Sequence, residues 1–296
     1  MPLKPILTAL AALSLAGCAR AETLPASPVP PGPALWKVAD EDTTIYLFGT
    51  IHALPPIVEW YDARIADALG RSGEVVTEVP SGAVQDQQSL DAIGIRALLP
   101  PGENLRAMLR PGQRKLYEAA MAKAGLEVDA FDRFEPWFAA MTLSIRPLLQ
   151  GGYTVDSGVE KTIEEKAAGT ARRNALETID GQIAVFDALP RKSQIAFLMA
   201  AARNVDTLVT GMDAMVAEWL EGDAASLAAL MNEGLSDRVL ADALLYDRNR
   251  QWAGWIERRL DQPGTVFMAV GAGHLAGRKS VQDLLDDRGI ASERVR

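Results

Sequence analysis

Strand-forming sequence clusters at the two ends of this chain, and the long stretch between them reads mostly as helix. Residues 43–48 (TTIYLF), rich in β-branched and aromatic side chains and stopped by Gly49, predict a strand. Residues 74–79 (EVVTEV), ended by Pro80, predict a second. Between them, residues 58–71 carry Trp60, Ile65, Ala68 and Leu69 at helical spacing, and the resulting strand, helix, strand unit favours a parallel pair with a right-handed crossover. Near the other end, residues 265–270 (TVFMAV) lie between Gly264 and Gly271 and predict a buried strand, followed by a helix from about Ser280. A short strand is expected around 173–176. Helices are predicted over 113–124, 138–149, 157–168, 192–220 and 237–260. The implied fold is α/β: a mixed, largely parallel sheet formed from both chain ends, with a central helical insertion or cap.

At 296 residues and 48% hydrophobic the chain can bury a substantial core. A net charge of -9, with no dense basic run, repels polyanions and makes nucleic acid an unsuitable partner. The single cysteine, Cys18, excludes an intramolecular disulfide and a cysteine-rich metal site. Residues 1–18 read as an export signal, with Lys4, an apolar run over 6–15 that is too short to span a membrane, and small residues around Gly17. Leu15-Ala16-Gly17-Cys18 resembles the lipobox of bacterial lipoproteins, in which the cysteine thiol is acylated and becomes the new N-terminus. The expectation is an exported protein of the cell envelope, held at a membrane by lipid on Cys18 and facing the periplasm or placed on the outer membrane. The alternative is an ordinary signal peptide cut after Ala19-Arg20-Ala21, leaving a soluble periplasmic protein. Residues 19–34, with Pro25, Pro28, Pro30, Pro31 and Pro33, suit a semi-rigid linker to a folded domain over 35–296.

Histidine occurs twice, and each copy closes the same pattern: Gly49-Thr50-Ile51-His52 and Gly271-Ala272-Gly273-His274. Each pattern directly follows a predicted strand. In open α/β sheets ligands bind outside the carboxyl ends of the strands, where both loops lie if the strands are parallel. Glu78 belongs to the same edge, and Glu177 closes the short strand around 173–176. Two imidazoles with one or two carboxylates are a common ligand set for zinc, manganese, cobalt or iron, and such an ion lowers the pKa of bound water while a free carboxylate acts as base. A bland reading stands beside this one, since single histidines and strand-end glutamates are usually structural. Asp247 and Arg248 border the apolar stripe of the 237–260 helix, where Arg248 either stabilises developing negative charge or locks the helix to the core through an ion pair. Asp156 and Glu160, on successive helical turns, form a weaker carboxylate pair of the kind that usually faces water. No H-E-x-x-H, P-loop or serine elbow is present, and Gly271-Ala272-Gly273 lacks room for the βαβ unit of a dinucleotide site.

Five segments together carry a family resemblance: Leu35-Trp36-Lys37-Val38, Tyr46 to His52, Leu176-Glu177-Thr178, Asp247-Arg248-Asn249 with Trp252, and Val270 to Leu275. In order across 35–296, they resemble the TraB/GumN family, which is related to the Tiki metalloproteases and more distantly to haem-associated and esterase-like α/β proteins. The resemblance implies a shared fold with a cleft at the paired histidines. It implies His52, Glu78 and His274 as metal or catalytic residues, with Arg248 and Asn249 lining the cleft. Two positions depart from the family pattern: Glu135 stands before Pro136-Trp137 where a basic residue is usual, and Glu160 where aspartate is frequent. The expected activity is divalent-metal-dependent hydrolysis of a peptide or small acyl substrate. The alternative is a non-catalytic lipoprotein that binds a peptide, haem or iron through the same histidines, and a scaffold with a vestigial site is a third reading.

Overall fold

The computed structural model of the protein describes residues 32–296 apart from 81, 84, 85, 168, 235 and 236. The expected export signal, the lipidation residue Cys18 and all but the end of the proline-rich linker lie outside the described residues. The first half of the folded chain comprises β1 (Leu35–Ala39), β2 (Thr43–Thr50), α1 (Ala63–Arg71), β3 (Glu74–Thr77), α2 (Gln87–Arg96), α3 (Leu105–Met108), α4 (Pro111–Lys123), α5 (Pro136–Gln150) and α6 (Val159–Lys166). The second half comprises β4 (Arg172–Ala175), α7 (Ile179–Asp187), α8 (Arg191–Asn204), α9 (Leu208–Glu221), α10 (Ala224–Gly234), α11 (Arg238–Ala241), α12 (Asp247–Leu260), β5 (Gly264–Gly271), α13 (Val281–Asp286) and β6 (Glu293–Arg294).

The fold class expected from the sequence is the one observed. Six strands form one mixed sheet in the order β4-β3-β5-β2-β1-β6, in which β4, β3, β5 and β2 run parallel while β1 and β6 are antiparallel to their neighbours. One expectation fails. β2 and β3 flank α1 in the sequence but are not paired, because β5 lies between them. The reason is burial: Val266 to Val270 are all buried, and five consecutive apolar residues need both sheet faces covered, which a central position supplies.

Alternation along the strands makes two cores. Phe48, Val75 and Phe267 face α1, α6 and α9 with Ile65, Ile163 and Trp219. Ile45, Leu47, Val76 and Met268 face α12 and α13 with Trp252, Ile256 and Leu285. A separate helical cap is held by Tyr117 and Met121 of α4, Leu143 of α5 and Leu198 of α8. The predicted helix over 192–220 is two helices broken after Asn204, and α2, α3, α7 and α10 were not anticipated. The predicted helix over 237–260 contains a π-type turn at Asp242–Tyr246, where the Asp247 N–H reaches back to the Asp242 carbonyl before α12 begins. Such turns are frequent at functional sites because they rotate the residues that follow them. Among the described residues no helix is long and apolar enough to cross a membrane.

Candidate functional site

The parallel pairing of β2 with β5 carries Thr50 opposite Gly271, so the two Gly-x-x-His segments leave the sheet side by side at its carboxyl edge. β3 is the next strand and delivers Glu78, whose Oε1 accepts the Gly271 N–H at 2.7 Å. β4 adds Glu177, whose N–H donates to the Glu78 carbonyl at 2.8 Å. From one face of the sheet α12 contributes Arg248, Asn249 and Trp252; from the other α6 contributes Glu160.

Arg248 is the hub of the α12 side. Its Nε and Nη2 donate to the two oxygens of Glu177 at 2.8 and 3.0 Å, and Nη2 also donates to Glu78 Oε2 at 2.5 Å. Nη1 donates to the Leu244 carbonyl, within the π turn, at 3.1 Å. The guanidinium lies over the Trp252 ring, whose Nε1 donates to Glu177. Gln182 of α7 completes the Glu78 shell by donating to Oε2 at 3.0 Å. Burial alone would raise the Glu78 pKa, but the His274 and Arg248 side of the site, His52 and the Gly271 N–H outweigh it and hold the carboxyl down at about 2.

His274 is buried against Trp252, with ring centroids 4.2 Å apart. Its Nδ1 lies 2.6 Å from Asn249 Oδ1, and Asn249 Nδ2 donates to the Lys279 carbonyl, which identifies Oδ1 as the acceptor. The ring is therefore the Nδ1–H tautomer, and its Nε2 lone pair accepts from Arg248 Nη1 at 3.1 Å. Burial, with Arg248 beside it, keeps this ring neutral, its pKa pushed down to about 3.

His52 behaves oppositely. Its Nδ1 lies 2.5 Å from Glu160 Oε1, which also accepts the Thr50 hydroxyl at 2.5 Å. The Glu160 carboxylate raises the His52 pKa to about 9, against the effect of burial. Burial also works against the charge on Glu160, yet His52 and Thr50 keep its pKa below the ordinary value. The His52 side chain is nevertheless 71% exposed, so solvent screens this pair and it holds less energy than the shift suggests. The His52 loop is pinned from behind, because the Val159 N–H donates to the Ile51 carbonyl at 3.0 Å. That approach requires Gly158, where a Cβ would stand 2.3 Å from the His52 carbonyl oxygen.

The model of the TraB/PrgY/gumN family matches residues 34–294. The chain belongs to the TraB/PrgY/gumN family. An uncharacterized protein of Treponema pallidum (strain Nichols) is 23% identical over 270 residues, covering 86% of this chain and 80% of that protein. No solved structure matches.

The resemblance to TraB/GumN proteins implied a metal, and the residues can be tested against one. Where a Gly271 Cβ would stand, Glu78 Oε1 is 3.0 Å away, His274 Cδ2 3.5 Å and His52 Nε2 4.0 Å, so the glycine keeps open a cup that all three residues line. Each histidine gives its Nδ1–H to an outer acceptor, Asn249 or Glu160, the arrangement that orients metal-ligating imidazoles. Donor type and orientation thus suit a borderline divalent ion. As they stand, however, no three His, Cys, Asp or Glu side chains among the described residues enclose an ion. Arg248 supplies the positive charge at His274 Nε2, 3.8 Å from Glu78 Oε1, so an ion there must displace its Nη1.

Of the candidates read from the sequence, His52, Glu78, Glu177, Arg248, Asn249 and His274 come together. Asp247 does not: it pairs with Arg250 at the surface. The expected Asp156 and Glu160 pair is split, since Asp156 turns outward to Lys161 while Glu160 turns in to His52. Asp156 lies within the short turn Val155–Ser157 and Glu160 in α6 beyond Gly158, so they do not share a helical face. Glu135, one of the two departures from the family pattern, pairs with Arg191 beneath the cap. Gln182 and Thr50 carried no sequence signal, because α7 is short and a threonine at a strand end is commonplace.

Proposed function

We propose that this protein is a metal-dependent hydrolase acting on peptides or similar acyl substrates at the cell envelope, exported and anchored by lipid on Cys18. The observation that carries the reading is the cup at Gly271, lined by Glu78 Oε1, His52 Nε2 and the edge of the His274 ring, with both Nδ1 atoms fixed by Asn249 and Glu160. His52, Glu78 and His274 would hold manganese, cobalt, zinc or iron, which when bound supplies Lewis-acid activation of water and carbonyl. The chain's own residues do the remaining work. Asn249 holds His274 as its Nδ1–H tautomer, and Glu160 holds the Nδ1–H of His52, whose Nε2 would give up its proton to take the ion. Glu177 and Trp252 keep Arg248 at the rim, where Nη1, once released from His274, is a ready donor to an oxygen gaining negative charge. Glu78 is ionised at neutral pH and can take a proton or a metal bond, while Gln182 fixes its second oxygen.

The second reading, a non-catalytic lipoprotein that binds a peptide, haem or iron, draws support from Arg248 itself, which already neutralises Glu78 and Glu177. Metal content separates the two. Mass spectrometry on a chain beginning at residue 22, purified without a histidine tag, is compared with a His52→Ala, His274→Ala variant. Near-stoichiometric metal in the first and none in the folded variant supports the hydrolase. If neither binds metal after divalent ions are added, the hydrolase reading fails.

A further inference from the structure

β4 ends the sheet, and among the described residues no strand pairs with its outer edge. The Arg172 and Leu176 N–H groups donate to the carbonyls of Gly73 and Thr77 at 3.0 and 2.9 Å. By the alternation of a parallel ladder, Arg173 and Ala175 therefore direct their backbone groups outward. The Ala175 N–H is satisfied by Asn174 Oδ1 at 2.8 Å, which leaves the Arg173 amide and the two carbonyls as the row offered to an incoming strand. Edges of this kind are usually covered or blunted. This one floors a channel.

Gly181 and Val185 of α7 and Glu164 of α6 form one wall, and Arg248 and Gln251 of α12 the other, around an open groove of about 840 Å³. Glu177 and Arg248 line its head, and their ion pair, which continues to Glu78, stands between the groove and the cup. At the amino end of β4 a second hollow of about 350 Å³ continues the same line past Asn174, Trp255 and Arg258. The channel is basic on a chain of net charge -9. Arg172 is 80% exposed, and Arg173 and Arg258 are also exposed. The two hollows together are lined by Arg172, Arg173, Arg248, Arg258 and Arg259 against Glu74, Glu164 and Glu177, with Glu74 paired to Arg259 and Arg172 and Glu177 to Arg248.

We propose that the substrate of this site is an extended acidic peptide, docked as an added strand on the outer edge of β4 and leading along the groove to the Glu177–Arg248 pair that borders the cup. The proposal rests on the hydrolase reading for what happens next, but the docking itself needs neither metal nor turnover. Four residues of β4 span roughly 13 Å, so about four peptide residues pair with it and the bond presented to the cup lies just beyond them.

The test uses the His52→Ala, His274→Ala variant of the full chain, which retains the groove, and fluorescein-labelled twelve-residue peptides alternating valine or threonine with glutamate, lysine or serine. Fluorescence anisotropy should show the glutamate peptide binding at least about tenfold tighter than the lysine peptide, with the preference weakened by salt and reversed by Arg172→Glu, Arg258→Glu. N-methylation at alternate residues keeps the charge and removes the donors, and should weaken binding about fivefold or more. Arg172 and Arg258 are exposed, but Arg172 also meets the buried Glu74 at 3.5 Å, so circular dichroism and a thermal melt check that the reversed protein is folded, and Arg258→Glu alone, which should weaken the preference for the glutamate peptide, serves as the second variant. Equal binding of glutamate and lysine peptides overturns the proposal, as does undiminished binding of the methylated peptide or equal competition by a sulfated polysaccharide. Acidic-strand binding without metal or turnover sustains the docking and sinks only the hydrolase reading. Metal-dependent cleavage indifferent to peptide charge and to the arginine reversal sinks only the docking.

Discussion

Arg248 joins two carboxylates that would otherwise sit side by side in a buried site, and truncating it tests the whole arrangement. The side chain is 14% exposed, and Glu78 and Glu177 are 10% and 14% exposed. Arg248→Ala leaves Glu78 with the Gly271 N–H and Gln182, and Glu177 with Trp252, but removes the cation that touches both. Breaking one partner of a buried pair costs about 3–5 kcal/mol, most of it the uncompensated charge left behind. For a domain of this size, with roughly 2 °C lost per kcal/mol, the melting temperature should fall on the order of 10 °C. Urea unfolding of Arg248→Ala, Glu177→Gln and the double variant then isolates the pair. Removing the stranded charge should recover a large part of the loss, giving a coupling of about 2 kcal/mol. The same truncation frees His274 Nε2 and Glu78, so millimolar manganese or zinc should raise the melting temperature of Arg248→Ala more than that of the parent. Additivity within about 0.5 kcal/mol, or a melting temperature unchanged by Arg248→Ala, would refute the idea that the guanidinium neutralises this site.

Four further outcomes follow from the geometry. With only two histidines, NMR of the ring nitrogens is assignable by single substitution: His52 should lose its proton near pH 9, and His274 should stay neutral as the Nδ1–H tautomer until about pH 3. The raised His52 pKa contributes stability that is full below about 6.5 and fades as pH rises toward 9. The depressed His274 and Glu78 values act on the acid side. Stability should fall from about pH 6.5 as the unfolded chain protonates His274, and again below about 4.5 as Glu78 approaches its folded value of about 2, which denaturation at a series of pH values measures. Asn249→Ala removes the acceptor that fixes the His274 tautomer; it should cost about 1–3 kcal/mol of stability and weaken metal binding by about 10–100-fold in a chelator competition. Gly158→Ala should destabilise by about 1–3 kcal/mol and displace the His52 loop, whereas Gly211→Ala, in α9 with nothing within 4 Å, should stabilise slightly. Thermal melts of the two variants give the comparison.

The sequence carried the ingredients of the site more fully than its assembly. The repeated Gly-x-x-His could be read because each copy ends an apolar strand, and a parallel sheet brings the ends of such strands to one edge. Strand order could not, since nothing local in residues 265–270 says that they insert between β2 and β3; only the demand for two covered faces does. Glu160 was undervalued because spacing on a helix reports which residues share a face and not which face turns inward, and here Val155–Ser157 resets that phase. The break after Asn204 was hidden for a related reason. Val205, Asp206 and Thr207 include neither glycine nor proline, so the apolar pattern runs on across a turn. Arg248 had two readings from the sequence, ion-pair lock and cleft residue, and the structure gives it the contacts of both.

The central position of β5 also bears on how the molecule is made. Thr50 and Gly271 are neighbours in the sheet but are separated by most of the folded domain in sequence, so the contact that unites the fold awaits synthesis of everything between them. Until residue 271 has emerged, β1 with β2 and β3 with β4 are separate pairs with no strand between them. Long-range parallel pairing of this kind is slow to form. Until then the nascent chain carries two unjoined strand pairs with open edges, and loss of residues 264–271 removes the keystone of the sheet rather than trimming its margin.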